Sequence, residues 1–159
     1  MTGVVIVDKP RGWTSHDVVG KLRRIYGTKR IGHGGTLDPM ATGVLPVFIG
    51  RATRAADMAS NADKQYVASL RFGVTTDTQD ITGTVLTTSP ANVTRETLER
   101  VLPEFIGETE QVPPMYSAIK KDGKKLYELA RKGIEVERPV RRITIKSIEI
   151  CGEGENGFS

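Results

Sequence analysis

The sequence predicts an α+β domain on a mixed, largely antiparallel sheet with flanking helices. Short strand-like apolar runs recur along the chain, and stretches of helical period fall between some of them. The two kinds neither alternate as βαβ units nor separate into blocks. The 159 residues are 38% hydrophobic, 26% charged and 6% aromatic, the profile of one folded domain with enough apolar material for a core. No internal repeat or low-complexity linker divides them.

Val4 to Val7 reads as a short buried strand closed by the turn-forming DKPRGW. Thr14 with Asp17 three residues on has the form of a capping box. Val18, Val19, Leu22, Ile25 and Tyr26 then recur at helical spacing until Gly27 offers a C-terminal cap. The outer side of this helix carries Lys21, Arg23 and Arg24, with Lys29 and Arg30 close behind. Leu45 to Ile49 reads as a strand and Ala52 to Met58 as a short helix. Tyr66, Ala68, Leu70 and Phe72 alternate with Val67, Ser69 and Arg71, the period of a half-buried strand.

DTQDITG supplies a turn before a strand near Thr84 to Thr87. Thr94 is placed to cap a helix on which Leu98, Val101, Leu102 and Phe105 share a face. Leu126, Leu129 and Ala130 mark another helix, ended by Gly133. Val140 to Ile150 is strand-like, but its apolar phase moves from odd positions, Ile143 and Ile145, to even ones, Ile148 and Ile150. A bulge near Lys146 and Ser147 is expected to absorb the shift.

Charge and cysteine usage narrow the function. The net charge of +4 is unevenly laid out: residues 1 to 60 carry nine Lys/Arg against four Asp/Glu, residues 61 to 111 four against eight, and residues 112 to 150 ten against five. Two basic segments flanking an acidic one suit a polyanionic partner if the fold brings them together. Scattered solvated charge is the alternative. The single cysteine, Cys151, allows no internal disulfide, and two histidines beside it are a poor stock for structural zinc. A reducing cytosol is expected. The opening MTGVVIVDKP is too brief an apolar run for a signal peptide or a membrane span.

The stretch GHGGTLDPMATG, residues 32 to 43, holds four glycines and one carboxylate, Asp38, between a leucine and a proline. It lacks the ending of a P-loop and the spacing of a dinucleotide fingerprint. For a metal, only His33 and Asp38 stand ready within it. An isolated Asp-Pro is most simply a turn or cap. Here Gly34, Gly35 and Gly43 let backbone pass close to a ligand, while Pro39 and Pro46 stiffen the frame. A lone carboxylate so held suits a nucleophile or general base that works without metal or cofactor.

Four stretches, DKPRGWTSHDVV, GHGGTLDPMATGVLPVFIGRATR, DKQYVASLRFGVTTDTQDITG and QVPPMYSAIKKDGKKLYELARKG, resemble in order and spacing the TruB family of tRNA pseudouridine synthases. The match runs through nearly the whole chain. The resemblance implies isomerisation of a T-loop uridine of tRNA, conventional position 55, to pseudouridine, with no metal and no cofactor. It places the family's catalytic aspartate on Asp38, the histidine that helps hold the flipped base on His33, and the tyrosine that stacks on that base on Tyr66. Lys9 and Pro10 fall on a motif that supports the active-site wall. The implied partner is the T-arm of tRNA, with no membrane and no obligate protein partner, in the cytoplasm.

The family pattern usually has threonine or alanine where this chain has Gly34, so a looser loop is expected. It also continues into a Gly-Thr-Tyr-Ile-Arg segment, whose arginine pairs with the catalytic aspartate, and into a small RNA-binding domain. Residues 1 to 159 therefore read as the N-terminal portion of the catalytic domain, with those parts absent. Arg51 and Arg54 are the expected candidates to stand in for the arginine.

The chemistry fits these residue types. A uridine inside a folded T-loop must be flipped out and its stacking replaced, a task for an aromatic side chain. Asp38 has three routes open: attack on ribose C1′, addition to C6 of the base, or removal of a proton from C2′. In each the uracil must be retained while it turns over, which calls for a closed, water-poor pocket. The rival readings are the catalytic subunit of a guide-RNA pseudouridylation particle, which shares these motifs, and a non-catalytic RNA-binding or tRNA-folding chaperone.

Overall fold

The computed structural model describes residues 1–117, 119–121, 123–130, 132–154 and 157–159. The chain forms two compact units, Met1–Gln65 and Tyr66–Ser159. Every registered strand pair among the described residues is antiparallel. The α+β class stands, with the strands shared among several small sheets.

The first unit runs β1 (Gly3–Lys9), α1 (Ser15–Tyr26), β2 (Ile31–His33), β3 (Gly43–Ile49), a 3₁₀ helix (Gly50–Ala55) and α2 (Ala56–Ser60). Its sheet has the order β1-β3-β2. Alternation on β3 sends Leu45, Val47 and Ile49 to one face, where they are almost fully buried against Val18 and Val19 of α1 and Ile31 of β2. Each such side chain contributes roughly 1.5–3 kcal/mol of apolar burial. Val5, Val7, Leu22, Tyr26 and Leu37 pack around this cluster. On the opposite face Val4, Ile6 and Val44 are exposed.

The predicted capping box is present in both directions. Thr14 Oγ1 accepts from the Asp17 amide at 3.0 Å, and the Thr14 amide donates to Asp17 Oδ2 at 2.8 Å. Hydrogen bonds from the Thr14 hydroxyl and then from its amide hold the Asp17 carboxyl below the usual carboxylate range. Gly27 ends the helix at φ 60°, in the left-handed region. The short helix expected over Ala52 to Met58 is a 3₁₀ turn that passes into α2.

The second unit holds β4 (Leu70–Arg71), β5 (Val74–Thr76), β6 (Val85–Thr88), α3 (Arg95–Val101), a 3₁₀ helix (Leu102–Phe105), β7 (Gly107–Gln111), β8 (Lys120–Lys121), β9 (Lys124–Lys125), α4 (Leu126–Ala130), β10 (Arg141–Ile145), β11 (Glu153–Gly154) and β12 (Gly157–Phe158). DTQDITG turns β5 into β6 as a hairpin. Asp77 Oδ1 accepts the Thr84 amide at 2.7 Å, and Asp80 Oδ1 accepts the Thr82 amide at 2.8 Å. Thr94 caps α3 through the Thr97 amide, as its position predicts.

Two expectations change in this unit, and one strand has no counterpart in the sequence reading. The half-buried strand over Tyr66 to Phe72 shrinks to Leu70–Arg71, because β12 offers pairing only to those two residues. Val140 to Ile150 contains a strand only over Arg141–Ile145, so the change of apolar phase marks the end of the strand where a bulge was expected. Its partner β7, with the sequence GETEQ, carries no apolar alternation to betray it. Cross-strand polar pairing holds it instead: Arg142 Nη1 reaches Glu108 Oε1 at 3.0 Å and Arg141 Nε reaches Gln111 Oε1 at 2.9 Å.

Candidate active site

The Asp38 loop begins where β2 parts from β3. The register pairs Ile31 with Ile49, Gly32 with Phe48 and His33 with Val47, so Gly34 and Pro46 are the next pair. Gly34 N donates to Pro46 O at 2.9 Å. Proline has no N–H to return the bond. Ser60 Oγ of α2 supplies the missing donor to Gly34 O at 3.1 Å. The ladder therefore ends at Pro46, and residues 35 to 42 leave the sheet.

Gly34 is constrained from inside the fold. A Cβ there would lie 2.7 Å from Ala59 Cβ and 2.9 Å from Phe48 Cε2, closer than packed atoms approach. With both its amide and its carbonyl bonded, this position is pinned, in contrast to the looser loop expected from the family pattern. Gly43 is required by its φ of 116° at the start of β3. These two glycines serve the fold's own geometry, where the sequence suggested approach to a ligand.

Asp38 itself is exposed, while the backbone on either side of it is fixed to the segment joining β1 and α1. Ahead of it, the Leu37 amide donates to Ser15 Oγ at 2.9 Å, and Ser15 Oγ lies 3.3 Å from Leu37 O. Behind it, Pro39 O accepts from the Gly12 amide at 2.7 Å and faces Lys9 Nζ at 3.4 Å. Ala41 N closes a turn onto Asp38 O at 3.0 Å. The Leu37 side chain enters the core cluster. Among the described residues no Lys or Arg nitrogen lies within 4.0 Å of the Asp38 carboxylate, so neither Arg51 nor Arg54 stands in for the family arginine here.

Lys9 is fully buried, and its Nζ donates to Trp13 O at 2.6 Å and Pro10 O at 3.0 Å besides facing Pro39 O. Three carbonyls match the three N–H donors of an ammonium group. Lys9 thus ties the turn after β1 to Pro39 of the Asp38 loop. His33 ends β2, half-buried, in the same unit as Asp38. Tyr66 opens the second unit in an exposed, non-strand stretch, and the residue is 66% exposed.

The cationic surface of the first unit is also defined. Lys21, Arg24, Lys29, Arg30, Arg51 and Arg54 are exposed, and among the described residues none of them pairs with a carboxylate. Arg23, read from the sequence as a fifth cation of the helix and the turn after it, folds back to donate to Ile31 O at 3.3 Å.

A family model described as the N-terminal domain of TruB family pseudouridylate synthases matches residues 23–157. The chain belongs to the TruB family. It is 50% identical over 157 residues to tRNA pseudouridine synthase B of Azoarcus sp. (strain BH72), covering 99% of this chain and 52% of that protein. To tRNA pseudouridine synthase B of Geobacillus kaustophilus (strain HTA426) it is 48% identical over 160 residues, covering 99% of this chain and 56% of the other. The chain thus spans about half the length of the curated relatives it matches. Among solved structures, a Cbf5-Nop10-Gar1 complex matches at TM-score 0.62 and 28% identity, over 98% of this chain and 37% of that one. An archaeal box H/ACA sRNP Nop10-Cbf5 complex matches at TM-score 0.53 and 34% identity, over 70% and 33%.

Within this TruB-family frame, sequence reasoning overlooked Ser15 and Gly12. Ser15 carries a readable signal: it shares the helical face of Val18, Val19 and Leu22 at i, i+3, i+4 and i+7, yet it is polar. A hydroxyl on an apolar stripe needs a buried partner. Its exposure is 3%, and its partner is Leu37. Nothing local in the sequence marks Gly12 as an amide donor to Pro39.

Proposed function

We propose that this chain is the N-terminal catalytic part of a tRNA pseudouridine synthase that converts the T-loop uridine to pseudouridine in the cytoplasm, without metal or cofactor. The reading rests on one observation above others: Asp38 stands exposed on a loop whose backbone is fixed on both sides to residues 9 to 15. Such a mount suits a carboxylate that must meet a reacting atom at a set distance. The glycosidic bond from C1′ to N1 breaks and one from C1′ to C5 forms. The C5 hydrogen leaves as a proton and N1 gains one, so the reaction is an isomerisation. Asp38 takes the covalent or proton-abstracting role by one of the three routes above, and His33 helps hold the base after it has flipped out.

The stand-alone tRNA enzyme is favoured over a guide-RNA particle subunit by the higher identity to its members, 48 and 50% against 28 and 34%. Incubating the full-length protein with an unmodified tRNA transcript should yield pseudouridine at the T-loop uridine. Binding of the transcript without any conversion would favour the chaperone reading.

Six exposed cations without carboxylate partners supply phosphate contacts. Each neutralised phosphate steepens the salt dependence by roughly 0.7 to 0.9 log units per decade of salt. Affinity for tRNA, measured by filter binding, should therefore fall steeply with ionic strength. A flat response would remove the cationic face from the interface.

Tyr66, exposed and aromatic, suits stacking on the extruded base. That contact is worth about 1 to 3 kcal/mol. Tyr66→Leu should weaken substrate capture by that amount while Tyr66→Phe retains it. Equal capture by the two variants would end the stacking role. Phe is compatible with good binding and poor turnover if the hydroxyl also takes part in chemistry.

A further inference from the structure

We infer that Ser15 is a positioning residue for Asp38, setting where the carboxylate stands without itself touching substrate. The inference builds on the catalytic role proposed for Asp38. Ser15 Oγ accepts the Leu37 amide at 2.9 Å and sits 3.3 Å from the Leu37 carbonyl. One small side-chain atom thus meets both hydrogen-bonding groups of the residue before Asp38, as a neighbouring strand would. A hydroxyl has the donor and the acceptor to do so. Carboxylates only accept, and lysine only donates.

The placement gives the contact its effect. Ser15 is the first residue of α1, directly after the capping threonine, and it is 3% exposed. Its position is therefore set by a helix whose next inward residues, Val18 and Val19, lie in the core. Leu37 is held twice, by its side chain in that same cluster and by its peptide groups on Ser15. Asp38 follows and is exposed. Downstream, Gly12 N and Lys9 Nζ hold Pro39 O, so residue 38 lies between two fixed neighbours, its own carbonyl accepting the Ala41 amide. Loss of the Ser15 hydroxyl releases the upstream neighbour's peptide and leaves the downstream anchor and the cationic face intact.

The test compares Ser15→Ala and Ser15→Cys with the wild type in the full-length enzyme. Displacing a reacting group by about 1 Å costs on the order of 100-fold, so kcat on unmodified tRNA transcript should fall about 10- to 100-fold in Ser15→Ala, with tRNA affinity unchanged. Ser15→Cys, nearly the same shape with a weak donor, should fall in between. Amide hydrogen exchange across residues 35 to 41 should quicken in Ser15→Ala, a readout independent of turnover. Unchanged kcat in Ser15→Ala, or equal losses in kcat and affinity, would overturn the positioning role. Unchanged exchange would overturn the clamp itself. If the wild type converts no uridine, the proposed function falls instead, and the exchange measurement alone decides whether Ser15 holds the loop.

Discussion

Asp38→Asn in the full-length enzyme should lower turnover on tRNA by about 1,000-fold or more, the scale seen when a nucleophile is deleted, while binding stays within a few-fold. The substitution preserves the size and planarity of the side chain. It removes the charge to which the proposed function gives attack on C1′ or C6, or removal of the C2′ proton. Docking is proposed to rest on other groups, the exposed cations from Lys21 to Arg54, and the loop backbone is held through Leu37 and Pro39 by bonds that the new side chain does not touch. Single-turnover kinetics beside filter binding separates the two effects. Turnover near the wild-type rate would take Asp38 out of the mechanism, and a parallel loss of binding would make it a docking residue.

The second large effect is expected on stability. Lys9→Met should destabilise the first unit by about 2–4 kcal/mol. The substitution removes the donor to Trp13 O and Pro10 O, while Pro39 O keeps the Gly12 amide. Each carbonyl that loses its donor costs about 1–3 kcal/mol to the extent that water does not replace it, and Pro10 and Trp13 lie at an exposed turn over the buried Lys9. Relief from burying a charged group returns part of that. Among the described residues no carboxylate lies within 4.0 Å of Lys9 Nζ, so no ion is left unpaired when it goes. Urea unfolding of the variant should show a lower midpoint with an unchanged slope. Wild-type stability would mean that the carbonyls find water or other donors, and that Lys9 does not brace the loop.

Much of the first unit is legible in its sequence because local signals and burial agree there. The Thr14–Asp17 capping box, the Val18, Val19 and Leu22 stripe and Gly27 all point to α1, and the helix runs from Ser15 to Tyr26. Asp38 stands out by its setting, a lone acid on a stretch rich in glycine and proline within a motif that resembles the family's, where an isolated Asp-Pro would read as a turn. The braces around it are harder to read, since the Ser15–Leu37 and Gly12–Pro39 bonds join residues more than twenty positions apart; the first shows only as a hydroxyl on an apolar stripe, and the second joins backbone groups that every residue carries. In the second unit the alternation of Tyr66 to Phe72 misled, because period-two patterning needs a partner strand to become a strand. The polar β7 went unseen for the converse reason: its partner Arg141–Ile145 supplies the pairing that its own residues do not advertise.

If Asp38 drives exchange of the glycosidic bond from N1 to C5, the C5 hydrogen records it. Uridine labelled with tritium at C5 loses the label when C5 joins the ribose. With tRNA labelled in this way, the full-length enzyme should release the tritium of one uridine per molecule. Release should vanish when the T-loop uridine is replaced by cytidine and when Asp38 is replaced by asparagine. Release that persists in the Asp38→Asn enzyme, or that comes equally from the cytidine-substituted tRNA, would contradict the account.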